Sequence, residues 1–450
     1  MKTRKERRKE EKNLKKIIKK VKATIFSEEF LNENRISEKD FSRKSKLGFK
    51  ELILFQLNAL KGSLQSSLKE FIKSLKHVKS YTKQAYSEAR QKINFKVFCN
   101  LNKILLLEYY KLNTYKTHKG YRVMAIDGSN LRLPNTNELK KTFGEITNQG
   151  EITLASARGS VLYDVENKIV IDSIIERYMF NERELAIKHI EKLKELKEKS
   201  NNDLKELVLF DRGYPSLKLM LYLEKNNINY LMRVSGSFLK EVNKFKKGNK
   251  NEEVLEINLT KQRLKKIELK EIVKKGKSNI KVRVIRIKLD SGEEEILITS
   301  LMDKKEFSHD EFKELYFKRW GIEVNYNILK NIIELENFTG IKPIAIMQDF
   351  YATILVGNIK SLLESVAQVG VDEKNETKNN KYDYQINRNL AHGVYKGNIV
   401  LLLLKKKGSE KILKKILYEI ELEVTPIRDG RSFSRKIKYG NRYSVNRKRA

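Results

Sequence analysis

The sequence predicts an α/β protein: a mixed-sheet core, a helical N-terminal region, an all-β insertion and a basic helical C-terminal region. Three observations carry this expectation. Short apolar runs of strand type alternate with helical patterns between residues 116 and 235. Residues 41–115 before them read as helices, and residues 236–304 after them are β-like and rich in lysine. A chain of 450 residues also exceeds one ordinary core, so several domains are expected. The predicted layout is a helical region over 1–115, a core over 116–235 and 305–370, an insertion over 236–304 and a C-terminal region over 371–450.

Each element has a local reason. Residues 1–22 are a Lys/Arg/Glu run, either a solvated helix or a loose basic arm. Leu52, Ile53, Phe55, Leu57 and Leu60 make one apolar helical stretch, and Leu68, Phe71, Ile72 and Leu75 another. Thr82 or Ser80 caps a short polar helix that turns Lys83, Gln84, Ser87, Arg90 and Gln91 outward. A helix pair of that kind suits a groove reader, or a plain bundle with a solvated face. Arg122–Asp127 is the first strand. Thr153–Tyr163 and Lys168–Arg177 form a hairpin around Asp164-Val165-Glu166-Asn167. Asn181-Glu182-Arg183-Glu184 reads as a capping box opening a helix to about Lys199. Leu207–Phe210 is a short buried strand, Ser216–Lys225 a helix and Tyr230–Val234 a strand. The insertion holds β-like runs at 253–259, 263–273, 280–289 and 295–300. A single long helix is expected from about Asp310 to Leu335, with further helices at 348–364 and 399–404. Residues 426–450 are a basic tail with nine cations and one acid.

Composition narrows the chemistry. Lys and Arg total 94 against 58 acids, a formal net charge of +36, which suits a polyanionic partner. One cysteine, Cys99, excludes an internal disulfide and a Cys-rich zinc site. The five histidines are scattered without ligand spacing and read as structural or exposed. No secretory signal is visible and no apolar run reaches membrane-spanning length, so a cytoplasmic location is expected.

Three carboxylates stand where folding could present them together. Asp127 and Asp211 each end an apolar strand beside a turn glycine, a placement that ordinary turn chemistry also favours. Glu323 lies in the long helical pattern. At about 100° per residue, Tyr316, Arg319, Glu323 and Lys330 fall within roughly 60° of one another. Leu315, Ile322, Leu329 and Ile333 form the adjacent apolar stripe, leaving Glu314, Lys318 and Asn325 for solvent. A second polar face needs partners. An Arg319–Glu323 ion pair would supply one; a hard cation for Glu323 and phosphates for Arg319 and Lys330 would supply others.

Tyr316-x2-Arg319-x3-Glu323-x6-Lys330 resembles the signature of the IS4-type DDE transposases, the group that includes the Tn5 transposase. Ala125-Ile126-Asp127-Gly128-Ser129 and Phe210-Asp211-Arg212-Gly213-Tyr214-Pro215 are similar to the family's two aspartate motifs. Phe41-Ser42-Arg43-Lys44-x2-Leu47 and Gln84-Ala85-Tyr86-Ser87-x2-Arg90-x-Lys92 resemble its N-terminal region. Pro426-Ile427-Arg428-x-Gly430-Arg431-Ser432-Phe433 resembles its C-terminal end. The resemblance implies an RNase H-like core interrupted by a β domain. It implies Asp127, Asp211 and Glu323 as catalytic ligands of Mg²⁺, two ions with Mn²⁺ as a substitute, and Tyr316, Arg319 and Lys330 as DNA contacts. The expected activity is cleavage at transposon ends and strand transfer into target double-stranded DNA, by a homodimer in a synaptic complex on the bacterial nucleoid. A transposase-derived DNA-binding protein and a nuclease without strand transfer are the alternatives. Trp320 is expected in the core.

Overall fold

The computed structural model describes residues 4–43, 47–58, 63–75, 81–147, 153–200, 203–235, 237–265, 278–289, 292–377, 380–405 and 408–428. Its centre is a nine-stranded mixed sheet. In chain order the strands are β1 (Tyr121–Arg132), β2 (Glu145–Thr147), β3 (Thr153–Asp164), β4 (Ile169–Arg177), β5 (Lys205–Phe210), β6 (Asn229–Val234), β7 (Glu252–Asn258), β8 (Asn279–Lys288) and β9 (Glu294–Thr299). β4, β3 and β1 lie antiparallel in succession, and β1, β5 and β6 run parallel. Antiparallel β9, β8 and β7 then extend the sheet from β6.

The parallel centre is buried on both faces, as the unbroken apolar runs in β1 and β5 require. Its one buried ion pair, among the described strands β1 and β5, joins Arg122 to Glu206, with Nε–Oε2 at 2.9 Å. Both side chains sit at paired positions of the two strands, so each charge has its partner in register.

The insertion departs from the all-β expectation. Its strands β7–β9 belong to the main sheet, and helices Lys240–Lys247 and Lys261–Lys265 lie among them. Lys240–Lys247 is a good helix sequence with Val242 and Phe245 at i,i+3 spacing, both buried. Most of the strand-like run at 263–273 lies outside the described residues.

Helices cover the sheet. Arg4–Ile25 is neither a solvated helix nor a loose arm: Leu14, Ile17, Ile18, Val21 and Ile25 are buried along one stripe. Helix Pro343–Thr377 runs through the core. By length and composition it could cross a membrane, contrary to the expectation that no run is long enough, but 72% of its apolar window is buried within this fold. Asn358 on this helix bonds Asn102 (2.7 Å) and the backbone of Val170 (2.8 Å), tying the N-terminal helices and β4 to it.

The short helix Lys83–Arg90 is capped by Thr82, as expected, with Lys83, Gln84 and Ser87 exposed. Arg90 is buried instead of outward. It lies one turn after the core residue Tyr86 and so shares its inward face. Gln348, Thr339, the Ala345 carbonyl and Asp349 take up its donors at 2.6–3.0 Å.

Candidate active site

Asp211 follows the end of β5, as expected, but Asp127 does not end its strand: β1 runs on to Arg132 because β3 continues to pair with it after β5 has stopped. β5 pairs with β1 only as far as Leu209↔Ala125. Asp127 lies two residues beyond that last pair, and Asp211 directly follows β5. Ligand sites in α/β sheets gather at such carboxyl-terminal strand edges. The turn after β5 is closed by Tyr214 N–H donating to the Asp211 carbonyl at 3.1 Å.

Asp127 is braced through its backbone. With β5 ended, its carbonyl accepts from the hydroxyls of Tyr326 (3.0 Å) and Ser160 (3.2 Å). Ser160 is in turn 2.9 Å from His189 Nε2, and His189 Nδ1 is 2.7 Å from Asp172. His189 and Ser160 are fully buried. His189 was expected to be structural or exposed; it stands directly behind the first aspartate.

The third acid arrives on a broken helix, not the single regular one expected. Helix Glu311–Phe317 gives way at Lys318–Arg319 to helix Trp320–Asn327, which passes into a π-helical segment, Ile328–Ile332. The apolar stripe Leu315, Ile322, Leu329 and Ile333 is buried as expected. Asn325 is also buried rather than solvated, and Trp320 is 45% exposed rather than in the core. Trp320 shares this exposed face with Phe317, their ring centroids 6.3 Å apart. The stripe at i, i+7, i+14 saturates the core side, which leaves no room there for the indole.

Arg319 stands among the acids. Its guanidinium bonds Glu323 at 3.0 Å, and its charge acts on Asp127 and Asp211 as well. Arg319 is buried, and its Nε has no hydrogen-bond partner. The Tyr316 hydroxyl reaches the Phe210 carbonyl and Asp211 Oδ1, each at 3.5 Å. Lys330 donates to the Asn130 carbonyl at 2.8 Å and pairs with Glu336 at 3.4 Å, beside β1. Desolvation pushes the Asp127 carboxyl up to about 6; Arg319 and the Gly128 N–H oppose this, and the charges of Glu182 and Asp211 add to it.

Residues 118–359, more than half of the chain, match the family described as the transposase DDE domain. The chain belongs to that family. All six candidate residues fall within the matched segment. Among solved structures, the cryo-EM structure of a piggyBac transposase synaptic complex with hairpin DNA is similar at a TM-score of 0.41 and 11% identity. That likeness covers 93% of this chain and 84% of the other, and at this level it carries no argument. No curated protein matches the chain.

For this DDE-domain chain, fit to a divalent cation can be judged from the donors. Among the described residues, no three His, Cys, Asp or Glu side chains converge as a ready metal site. Glu323 is engaged by Arg319, so a cation must compete with a guanidinium. The donor chemistry nonetheless fits: all-oxygen ligands on a rigid edge suit a hard ion, and an Asp127 pushed toward its neutral form chiefly by desolvation would be relieved by one.

Sequence reasoning missed a fourth acid at this edge. Glu182 opens helix Glu182–Ser200 and pairs with Arg158 at 2.8 Å. The capping-box reading holds only in part: Asn181 accepts from Arg183 N–H at 2.9 Å, but Glu184 turns away to Lys218. The signal available was Gly128 after Asp127, which only the fold pairs with Glu182.

Proposed function

We propose that this chain is a cut-and-paste DNA transposase of the IS4 type, cleaving at transposon ends and joining the freed 3′-hydroxyl to target DNA. The single observation that carries the reading is Arg319 on the signature helix, which bonds Glu323 and acts on both Asp127 in β1 and Asp211 just after the adjacent parallel strand β5. The strand order β4-β3-β1-β5-β6 supports an RNase H-like core. The net charge of +36 supports a polyanionic substrate.

Asp127, Asp211 and Glu323 would hold Mg²⁺ or Mn²⁺. Bound there, such ions supply Lewis acidity that activates water or a 3′-hydroxyl and steadies the departing oxygen. The protein's own groups prepare that geometry. Tyr326 and Ser160 fix the Asp127 backbone, and the Tyr316 hydroxyl stands 3.5 Å from Asp211 Oδ1. Arg319, on leaving Glu323, neutralises the phosphate as charge develops. Lys330 exchanges Glu336 for a backbone phosphate. No serine, tyrosine or cysteine nucleophile is required, so no covalent protein–DNA intermediate forms. Two protomers acting on two ends would coordinate the cuts, and the basic tail would add non-specific attraction.

The test is a paired assay on labelled end DNA, reading cut ends and joined products in Mg²⁺. Wild-type protein should yield both, and Asp211→Asn neither while still shifting DNA in a gel. Cut ends without joined products would replace this reading with a nuclease.

A further inference from the structure

Glu182 comes from a different element than the three acids of the signature motifs, yet it reaches between the two aspartate turns. Its Oε1 lies 2.8 Å from where a β-carbon on Gly128 would stand, and its Oε2 lies 3.9 Å from the same position on Gly213. Gly128 follows Asp127 and Gly213 lies two residues after Asp211. A β-carbon at 128 would crowd this carboxylate and turn it from its present position.

One further observation points to a ligand there. The Tyr214 hydroxyl is buried, has no hydrogen-bond partner, and lies within electrostatic range of both Asp127 and Glu182. A carboxylate placed only to favour a helix start gains from the helix dipole in any rotamer. It has no need to lie against β1 beside a second carboxylate. The Arg158–Glu182 pair that balances it is 21% and 34% exposed, so opening it costs little.

We infer that Glu182 is a fourth carboxylate of the active site, able to leave Arg158 and share a divalent cation with Asp127. The inference rests on the DDE reading above. Arg158 then acts as the placeholder for the cation, as Arg319 does for Glu323.

The experiment is Mn²⁺ titration of the full-length protein by calorimetry, without DNA, with a melting curve for each variant. Glu182→Gln should weaken Mn²⁺ binding by about tenfold or more, on the scale of losing a group that tunes a metal site. Arg158→Met removes the competitor and should tighten binding. A purely structural ion pair predicts the opposite for Arg158→Met, because both variants would then lose stability and affinity together. Wild-type affinity in Glu182→Gln, or weakened binding in both variants, overturns the inference. Asp127→Asn separates the two readings: if it too binds Mn²⁺ like wild type, the DDE assignment itself fails. Should Glu182→Gln melt below the assay temperature, Glu182→Asp decides. Affinity within about threefold of wild type, as a retained ligand charge predicts, supports the inference, and a loss equal to full removal of the group opposes it.

Discussion

Two buried arginines, Arg90 and Arg319, divide the molecule into a part that is finished and a part that is waiting. At the junction of the N-terminal helices with Pro343–Thr377, Arg90 has four acceptors within 3.0 Å. At the sheet edge, Arg319 has one hydrogen bond to Glu323, an unpartnered Nε, and two further acids within reach of its charge. Both cations pay for desolvation. The first is compensated by the fold alone. The second is compensated in a way that a divalent ion and a phosphate could improve. These two arginines differ in the completeness of their hydrogen bonding and not in burial, although Arg122 and Arg283 are also buried with one unpartnered nitrogen each.

The largest expected effect breaks the edge itself. Asp211→Asn and Glu323→Gln each keep the side-chain volume and remove one ligand charge, so end cleavage should fall to background while DNA binding persists. Labelled-end nicking beside a gel-shift titration reads both. Cleavage at the wild-type rate by either variant would remove that residue from the catalytic set.

The two arginines can then be compared directly. Arg90→Met should cost about 3–5 kcal/mol of stability, because it strands Asp349 and Gln348 in the interior. Arg319→Met should cost less than half of that, and saturating Mg²⁺ should restore the melting temperature of Arg319→Met but not of Arg90→Met. Equal losses, with no rescue of either, would erase the distinction drawn above.

A smaller effect follows from the neutral tendency of Asp127. The folded, metal-free protein holds that proton up to about pH 6, while an unfolded chain releases it near 3.8. Folding therefore takes up a proton between those values, and stability falls as pH rises through the window, by up to about 3 kcal/mol. Asp127→Asn removes this decline. It should be more stable than wild type at pH 7 and lose that advantage below pH 4. Metal binding must displace the same proton, so wild-type affinity for Mn²⁺ should drop as pH falls below about 6. Chemical denaturation of both proteins across this range is the measurement; parallel curves would show that Asp127 carries no such shift.

What was legible follows the local physics. The buried parallel strands, the Asp164–Asn167 hairpin, the Thr82 cap and the helix to Lys225 are short-range signals, and the strands and helices at those positions form as read, with Ser216 capping that helix instead of lying within it. Spacing along one helix also exposed the Arg319–Glu323 relation. Arg90, Glu182 and His189 were not legible, because each takes its meaning from a partner far away in sequence. Arg90 looked outward until helix Pro343–Thr377 supplied Gln348 and Asp349. Glu182 looked like a cap until β1 supplied Gly128. The N-terminal helices are tied to the core in the same way: Tyr110 bonds buried Asp164 at 2.7 Å and Asn102 bonds Asn358. Deleting residues 1–115 would therefore uncover the back of the sheet.

The smallest predicted effect concerns Lys330, whose position depends on the π-helical segment. A regular helix would place residue 330 on the Arg319–Glu323 face. The wider turn of Ile328–Ile332 lets its ammonium reach the Asn130 carbonyl, three residues beyond Asp127 on β1, while Glu336 balances the charge. A phosphate approaching Asp127 would meet this ammonium first, and the Glu336 pair is weak enough to yield, worth about 1 kcal/mol or less. Lys330→Met should thus leave the melting temperature nearly unchanged. The slope of log affinity against log salt for end DNA should flatten by about one unit, the signature of one lost phosphate contact. Arg319 is the internal control: its guanidinium is turned to the acids in the free protein, so its contribution to the slope should appear only in Mg²⁺. A salt slope unaltered by Lys330→Met, together with a lower melting temperature, would make Lys330 a strut between the π-helical segment and β1 and leave the phosphate contact to Arg319 alone.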